Sequence, residues 1–143
     1  MILHKFPKGE GKALNIALIA DDSKKTLMEN LCIAYRHILA AHVLLATGTT
    51  GRVVEEACGL PVQKYLEGRL GGEQQLGVQV AHNEIDMVIY LCDPYIGEPT
   101  EDISIARLCD MHNIPLATNL ATAEALLRAL ERGDFSWREL LRI

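Results

Sequence analysis

The sequence predicts a three-layer α/β fold, a mostly parallel five-stranded sheet with helices on both faces. Three observations predict it. Short apolar runs closed by polar clusters recur along the chain, as buried strands do. Stretches of helical period separate them. The two kinds of segment alternate five times over with no internal repeat, and such alternation implies a parallel sheet covered on both sides. Ligands bind such sheets outside the carboxyl ends of the strands. The polar clusters that end the strands therefore become the candidate site.

Composition narrows the classes. A chain of 143 residues can bury a real core, and residues 1–143 read as one domain. The net charge of −5 argues against a general binder of nucleic-acid polymers or membranes, although a local basic pocket for phosphate remains compatible with it. No apolar run approaches the roughly 20 residues that span a bilayer, and Met1–Lys8 is not a signal peptide. Cys32, Cys58, Cys92 and Cys109 form no CxxC pair and lie in apolar stretches, as reduced thiols of a cytoplasmic protein do. The five histidines lack metal-ligand spacing, so no metal is expected.

In chain order, residues 1–12 read as a loose lead-in. The first buried strand is Leu14–Ala20, ending at Asp21-Asp22-Ser23. Ser23 to about Leu39 reads as a helix, with Leu27, Leu31, Ala34 and Ile38 on one face. His42–Ala46 is the second strand and stops at Thr47-Gly48-Thr49-Thr50-Gly51, after which Arg52–Ala57 looks helical. Val62–Leu66 reads as a short third strand before Glu67–Gly72. Glu73–Ala81 is ambiguous: Leu76, Val78 and Val80 alternate as in a strand, while the preceding glycines and Gln74-Gln75 suit a helix start, and helix is the choice. Met87–Cys92 is a strand closed by Asp93-Pro94. After the loop Tyr95–Glu101, Asp102 can cap a helix whose face carries Ile105, Leu108, Cys109 and His112. Ile114–Thr118 is the last strand, ending at Asn119. Ala121–Glu131 is a helix burying Ala123, Leu126, Leu127 and Leu130, stopped by Gly133. Asp134–Ile143 reads as a short terminal helix anchored by Phe135 and Trp137.

The threonine–glycine turn is the most informative of the strand ends. Unpaired N–H groups and a helix dipole at a strand-to-helix turn favour an anion. Its ordinary reading is a turn with capping threonines. Taken with Asp21-Asp22, Glu67–Glu73, Asp93 and Asn119 at the same predicted rim, it suggests a phosphate site.

The set ATGTTG at 46–51, GGEQQ at 71–75, DP at 93–94 and PLATN at 115–119 resembles the methylglyoxal synthase family. The order and spacing match along roughly residues 14–127. Each motif is weak alone, and together they are specific. The resemblance implies the family's fold, and elimination of phosphate from dihydroxyacetone phosphate without a cofactor. It also implies a homo-oligomer, typically a hexamer. It assigns phosphate contacts to Lys25, Thr47, Gly48, Thr49, Thr50 and Gly68, with Arg69 offering a further one where the family has proline. Glu67 stands at a family serine.

The catalytic set departs from the family. Glu73 replaces the aspartate base, Asp21 and Thr100 replace two histidines, and Asp93 is retained. An extra methylene moves a carboxylate by about 1 Å, and displacements of that size can cost about 100-fold. Thr100 can donate a hydrogen bond but cannot shuttle a proton near neutral pH. These changes lead the sequence reading toward a protein that binds, senses or sequesters a phosphate-bearing small molecule, such as a nucleotide or nucleotide-derived signal, with lost or weak lyase activity. The alternative is an active methylglyoxal synthase with Glu73 as general base, Asp93 and Asp21 beside it, and the threonine loop, Lys25, Gly68, Arg69 and Thr100 holding the substrate. Ordinary roles stand beside these: Asp21 and Asp22 as caps, Lys25 as a solvated helix start, Asp93 as a turn former.

Overall fold

The aliphatic runs become strands, and all their pairings are parallel. The structure, a computed structural model, describes residues 13–95, 104–135 and 137–138. Its strands are β1 (Asn15–Ala20), β2 (Val43–Ala46), β3 (Val62–Lys64), β4 (Met87–Leu91) and β5 (Leu116–Ala117). They lie in the order β3-β2-β1-β4-β5. Leu18 pairs with Ala46 on one side of β1, and Ala20 with Leu91 on the other.

Successive side chains of a strand point to opposite faces, and here both faces are buried. Ile16, Leu18 and Ala20 face one core, with Met28 and Leu31 of α1 (Lys25–Ala34), Leu39 of α2 (Arg36–Leu39), Val54 of α3 (Gly48–Cys58) and Leu127 of α6 (Leu120–Glu131). Ala17, Ile19 and Val88 face the other, with Leu76 and Val80 of α4 (Gly72–Ala81) and Ile105 and Cys109 of α5 (Ile105–His112). The result is the three-layer sandwich that the alternation predicts. Among the described residues no helix is long and apolar enough to cross a membrane.

Several boundaries differ from expectation for identifiable reasons. The predicted helix from Ser23 to Leu39 is a 3-10 turn at Asp22–Lys24 followed by α1 and α2, broken at Tyr35, whose φ of −108° and ψ of 21° leave the helical region. The break lets Tyr35, Ile38 and Leu39 all reach the core. The Arg128 guanidinium lies 5.8 Å from the Tyr35 ring centroid, a cation–π contact. The threonine turn is no loop before a helix at Arg52, because α3 begins at Gly48. Its glycines serve close packing: a Cβ on Gly48 would lie 2.8 Å from the Tyr65 carbonyl oxygen, and one on Gly51 would lie 2.6 Å from the Lys64 side chain. Within α4, Leu76 and Val80 are buried while Val78 is 56% exposed, which is helical spacing and resolves the ambiguity. The cap of α5 is Ser104, whose hydroxyl accepts from the Arg107 amide, rather than Asp102. Asp102 itself lies outside the described residues, as do residues 1–12 and most of the predicted terminal helix.

The segment after α6 is anchored by a residue that the sequence did not single out. Phe135 packs against the larger core. Arg138 is 1% exposed, and its Nε donates to Asp86 Oδ1 at 3.1 Å. Its terminal nitrogens reach Asn83 Oδ1 at 2.8 Å and the carbonyls of Ile85 and Asn113 at 3.3 Å. Asp86 also accepts from the Asn15 amide at 2.7 Å. This cluster ties the starts of β1 and β4 and the end of α5 together at the amino edge of the sheet. Removing one member of a buried ion pair strands the other charge. Asp86→Ala is therefore expected to lower unfolding stability by about 3–5 kcal/mol, read from the urea midpoint, while Asp134→Ala at the exposed Arg132 pair should change it by less than about 1 kcal/mol.

Candidate active site at the strand carboxyl ends

The strand order reverses at β1, and the predicted polar clusters meet there. After β1 the chain enters α1 on one face of the sheet. After β4 it runs toward α5 on the other. The two exits diverge and leave a crevice. Asp21 sits at its centre: its amide donates to the Leu91 carbonyl at 3.0 Å, and its Oδ2 accepts from the Asp93 amide at 2.6 Å. Asp93 in turn accepts from Ser23 Oγ at 2.7 Å and from the Tyr95 amide at 2.9 Å. These bonds, the serine's first, hold the Asp93 carboxyl below the usual carboxylate range. The predicted turn-shaping role of Asp93 is thus realised, and Ser23 braces the turn.

Glu73 is the second residue of α4 and half-buried. Its Oε2 accepts from Tyr90 Oη at 3.1 Å. Burial raises its pKa above the usual range. The Tyr90 hydrogen bond opposes that rise, and the Asp21 carboxylate nearby adds to it. Burial and the same two carboxylates lift the Cys92 thiol to about 11, so it stays protonated. Asp21, Glu73, Tyr90 and Cys92 therefore form one acidic cluster. The hydroxyl of Tyr90 escaped the sequence reading. Its signal is a single polar tip in the aliphatic run of β4, on the face that period two aims at α4.

The threonine turn lies on the β2 side. Thr47, the residue preceding α3, is buried, and its hydroxyl donates to Thr50 Oγ1 at 3.3 Å. The Gly48 amide donates to the Leu66 carbonyl at 3.1 Å, and the Gly51 amide to the Thr47 carbonyl at 2.8 Å. Among the described residues no protein acceptor meets the amides of Thr49 and Thr50, the other donors of that first turn. Thr49 Oγ1 donates to Glu67 Oε1 at 2.8 Å, and Arg52 stands 3.7 Å from the same carboxylate oxygen. Glu67 thus faces the turn but is partnered there.

Gly68 begins a 3-10 turn, with nothing within 4 Å of where a Cβ would stand. The loop closes on α4 where the Gly72 amide donates to the Glu67 carbonyl at 3.0 Å, and Gln75 Oε1 accepts from the Leu66 amide at 2.9 Å. Lys25 opens α1. Its ammonium donates to the Ala20 carbonyl at 2.8 Å and lies 3.2 Å from Asp22 Oδ1, so it is tied to the end of β1 rather than left solvated. The Arg69 side chain and Thr100 lie outside the described residues. Asn119 caps α6 through the Thr122 amide. A cavity of about 330 Å³, lined by Lys24, Leu27, Leu91, Cys92, Thr118 and Asn119 among others, adjoins the rim on the α1–α6 side and includes none of Asp21, Glu73 or Thr47–Thr50. Among the described residues no group of three His, Cys, Asp or Glu could hold a metal.

Comparison with known proteins gives this arrangement a context. The profile of the MGS-like domain matches residues 28–118. The methylglyoxal synthase of Caldicellulosiruptor saccharolyticus is 59% identical over 130 residues, covering 90% of this chain and 92% of that protein. The methylglyoxal synthase of Thermoanaerobacter sp. strain X514 is 53% identical over 129 residues, covering 89% and 98%. The crystal structure of methylglyoxal synthase from Elizabethkingia anophelis NUHP1 superposes with a TM-score of 0.76 at 38% identity, covering 83% of this chain and 81% of that one.

Two expected outcomes follow from the geometry. A Cβ on Gly72 would lie 1.8 Å from the Leu66 carbonyl oxygen, so Gly72→Ala must displace either the loop or the start of α4. Overpacking of that kind costs about 1–3 kcal/mol, measurable by urea unfolding. Glu73 has a folded pKa raised above its unfolded one, so its ionised form opposes folding at neutral pH, and that penalty disappears below both pKa values. Glu73→Gln should therefore melt at a higher temperature than the parent at pH 7. The difference should close as pH falls through the Glu73 titration in calorimetric scans.

Proposed function

The chain belongs to the methylglyoxal synthase family, and from that premise we propose that it is an active lyase converting dihydroxyacetone phosphate to methylglyoxal and phosphate. The alternative drawn from the sequence thus replaces the leading one. The identity extends over nine-tenths of the chain to relatives that carry the enzyme's name, which favours retained chemistry over a binding protein with the activity lost. The observation that carries the reading is the half-buried Glu73 with its raised pKa. A carboxylate partly removed from water is a costly feature for a passive binding site and a useful one for a base, because a pKa nearer the working pH favours proton transfer in both directions.

In this reading Glu73 removes a proton from the hydroxymethyl carbon, and the carbonyl becomes an enediolate. The enediolate oxygen takes up a proton, the neighbouring hydroxyl gives its own proton to the departing phosphate as its oxygen re-forms a carbonyl, the double bond shifts, and the carbon–oxygen bond to phosphate breaks. The products are inorganic phosphate and the enol of methylglyoxal, which takes up a proton at its terminal carbon to become the aldehyde-ketone. Phosphate is received by the Thr49 and Thr50 amides, the Thr47 and Thr50 hydroxyls, the approach at Gly48 and Gly68, and Lys25. Thr49 must turn its hydroxyl away from Glu67 to contribute it, and Arg52 offsets the Glu67 charge. Asp21 and Asp93 set the shape of the rim and hold the ends of β1 and β4 in register. The protein works in the cytoplasm as a homo-oligomer, a hexamer by family analogy, with no cofactor.

The test is a methylglyoxal assay on purified protein with dihydroxyacetone phosphate. Turnover is expected, and it should fall about 10²–10⁴-fold in Glu73→Gln. Lys25→Met should weaken substrate binding by about 1.5–3 kcal/mol, raising KM. A parent protein without turnover, stabilised against heat by nucleotides and not by the triose phosphate, would return the case to the binding protein.

A further inference from the structure

The Tyr90 hydroxyl is the one polar tip in the run Met87–Leu91, and a half-buried phenol needs a partner. It finds Glu73 Oε2 at 3.1 Å. We propose that Tyr90 is a positioning residue for the lyase reaction: its hydroxyl holds Glu73 in one orientation and favours the ionised carboxylate, leaving Oε1 to take the proton from carbon. The proposal rests on Glu73 being the base and deepens that reading.

Glu73 by itself is poorly fixed. It is a long side chain on the first turn of α4, directly after a glycine loop. Tyr90, by contrast, stands on β4, which is paired to β1 on one side and β5 on the other, and its register partner is Ile19. The hydrogen bond therefore references the base to the middle of the sheet. A glutamate has one more rotatable bond than an aspartate, and a fixed donor removes the freedom that this adds.

The surroundings give the bond an electrostatic role as well. Among the described residues, the titratable groups that face Glu73 are Tyr90 from β4, Asp21 from the end of β1 and the Cys92 thiol beyond β4. From α5, packed against α4, come Ile105, Leu108 and the buried Cys109. Burial and Asp21 both oppose ionisation of Glu73, and Tyr90 is the group that favours it. Burial, and after it the charge on Glu73, push the Tyr90 phenol well above its ordinary value, so it stays a donor across the working range. A hydrogen bond donated to the charged form lowers a carboxyl pKa, and removing it raises that pKa.

The experiment is Tyr90→Phe, which keeps the ring and its packing and deletes the hydroxyl. The pH profile of kcat/KM and the split between kcat and KM are measured, with the carboxyl titration of Glu73 followed by carbon-13 NMR in the substrate-free protein. The acid limb and the NMR titration should both move to higher pH. At neutral pH kcat should fall about tenfold, with KM for dihydroxyacetone phosphate nearly unchanged. In a Glu73→Asp background, where the carboxylate withdraws about 1 Å from a bond already at 3.1 Å, the further loss from Tyr90→Phe should vanish. An unmoved titration of Glu73, or an equal loss in both backgrounds, overturns the proposal. A parent without turnover defeats the lyase reading alone, and the NMR titration then still decides whether Tyr90 governs Glu73.

Discussion

The reversal of strand order at β1 is the constraint on which the rest of the structure depends. Because β2 and β4 both pair with β1 and their connections leave toward opposite faces, the carboxyl ends of β1 and β4 cannot be covered by either helical layer. Backbone groups at that opening would otherwise lack partners. The Asp21 carboxylate meets the Asp93 amide across it, and the Asp21 amide meets the Leu91 carbonyl. Charge is thereby concentrated where a ligand can reach it, while both cores are built of apolar side chains.

A second consequence is electrostatic. Asp21 and Glu73 share the opening, and the Asp21 carboxylate opposes the ionisation of Glu73. The surrounding structure sets them apart through their bonds. Asp21 accepts a backbone amide from the β4 exit, whereas Glu73, deeper against β4, accepts only a phenol among the bonds described. Burial raises the pKa of Glu73, and its tunable protonation suits it to the proposed role of base. Stability and chemistry pull against each other at this residue, as they do where an active site holds a partly desolvated charge.

The threonine turn shows how packing and recognition share the same residues. Gly48 and Gly51 let α3 lie close against β3 and the loop that follows it. That contact aims the first turn of α3 at the opening and leaves the Thr49 and Thr50 amides available to an anion. Glu67 closes on Thr49 and Arg52 in the ligand-free arrangement. In the proposed reaction, an incoming phosphate would compete with that carboxylate for the hydroxyl, but not for the two amides. At the amino edge, far from this chemistry, Arg138 and Asp86 lock the remaining ends of the sheet.

The sequence by itself determined the layer architecture and the rim. Apolar runs of strand length and helical spacing are local signals, and the rule that parallel strands present their carboxyl ends together carried Asp21, Thr47–Thr50, Glu73 and Asp93 to one edge. It also marked the family. Reading the catalytic substitutions as losses led to the binding reading, which the names of the relatives favour less than the lyase, and it left out that a substituted residue can be supported by a neighbour that its own motif does not contain. Only the tertiary structure decided those supports. The Tyr90 bond to Glu73, Glu67 turned onto Thr49 and Arg52, and Arg138 buried against Asp86 each join residues between 15 and 52 positions apart in the chain. Their geometry depends on how loops and helices settle on the sheet. The start of α3 at Gly48 and the capping of α5 by Ser104 were likewise settled by packing and hydrogen bonding that local propensity does not encode. A side chain's partner is set by the three-dimensional approach of whole elements, and no local pattern in a single sequence records that distance.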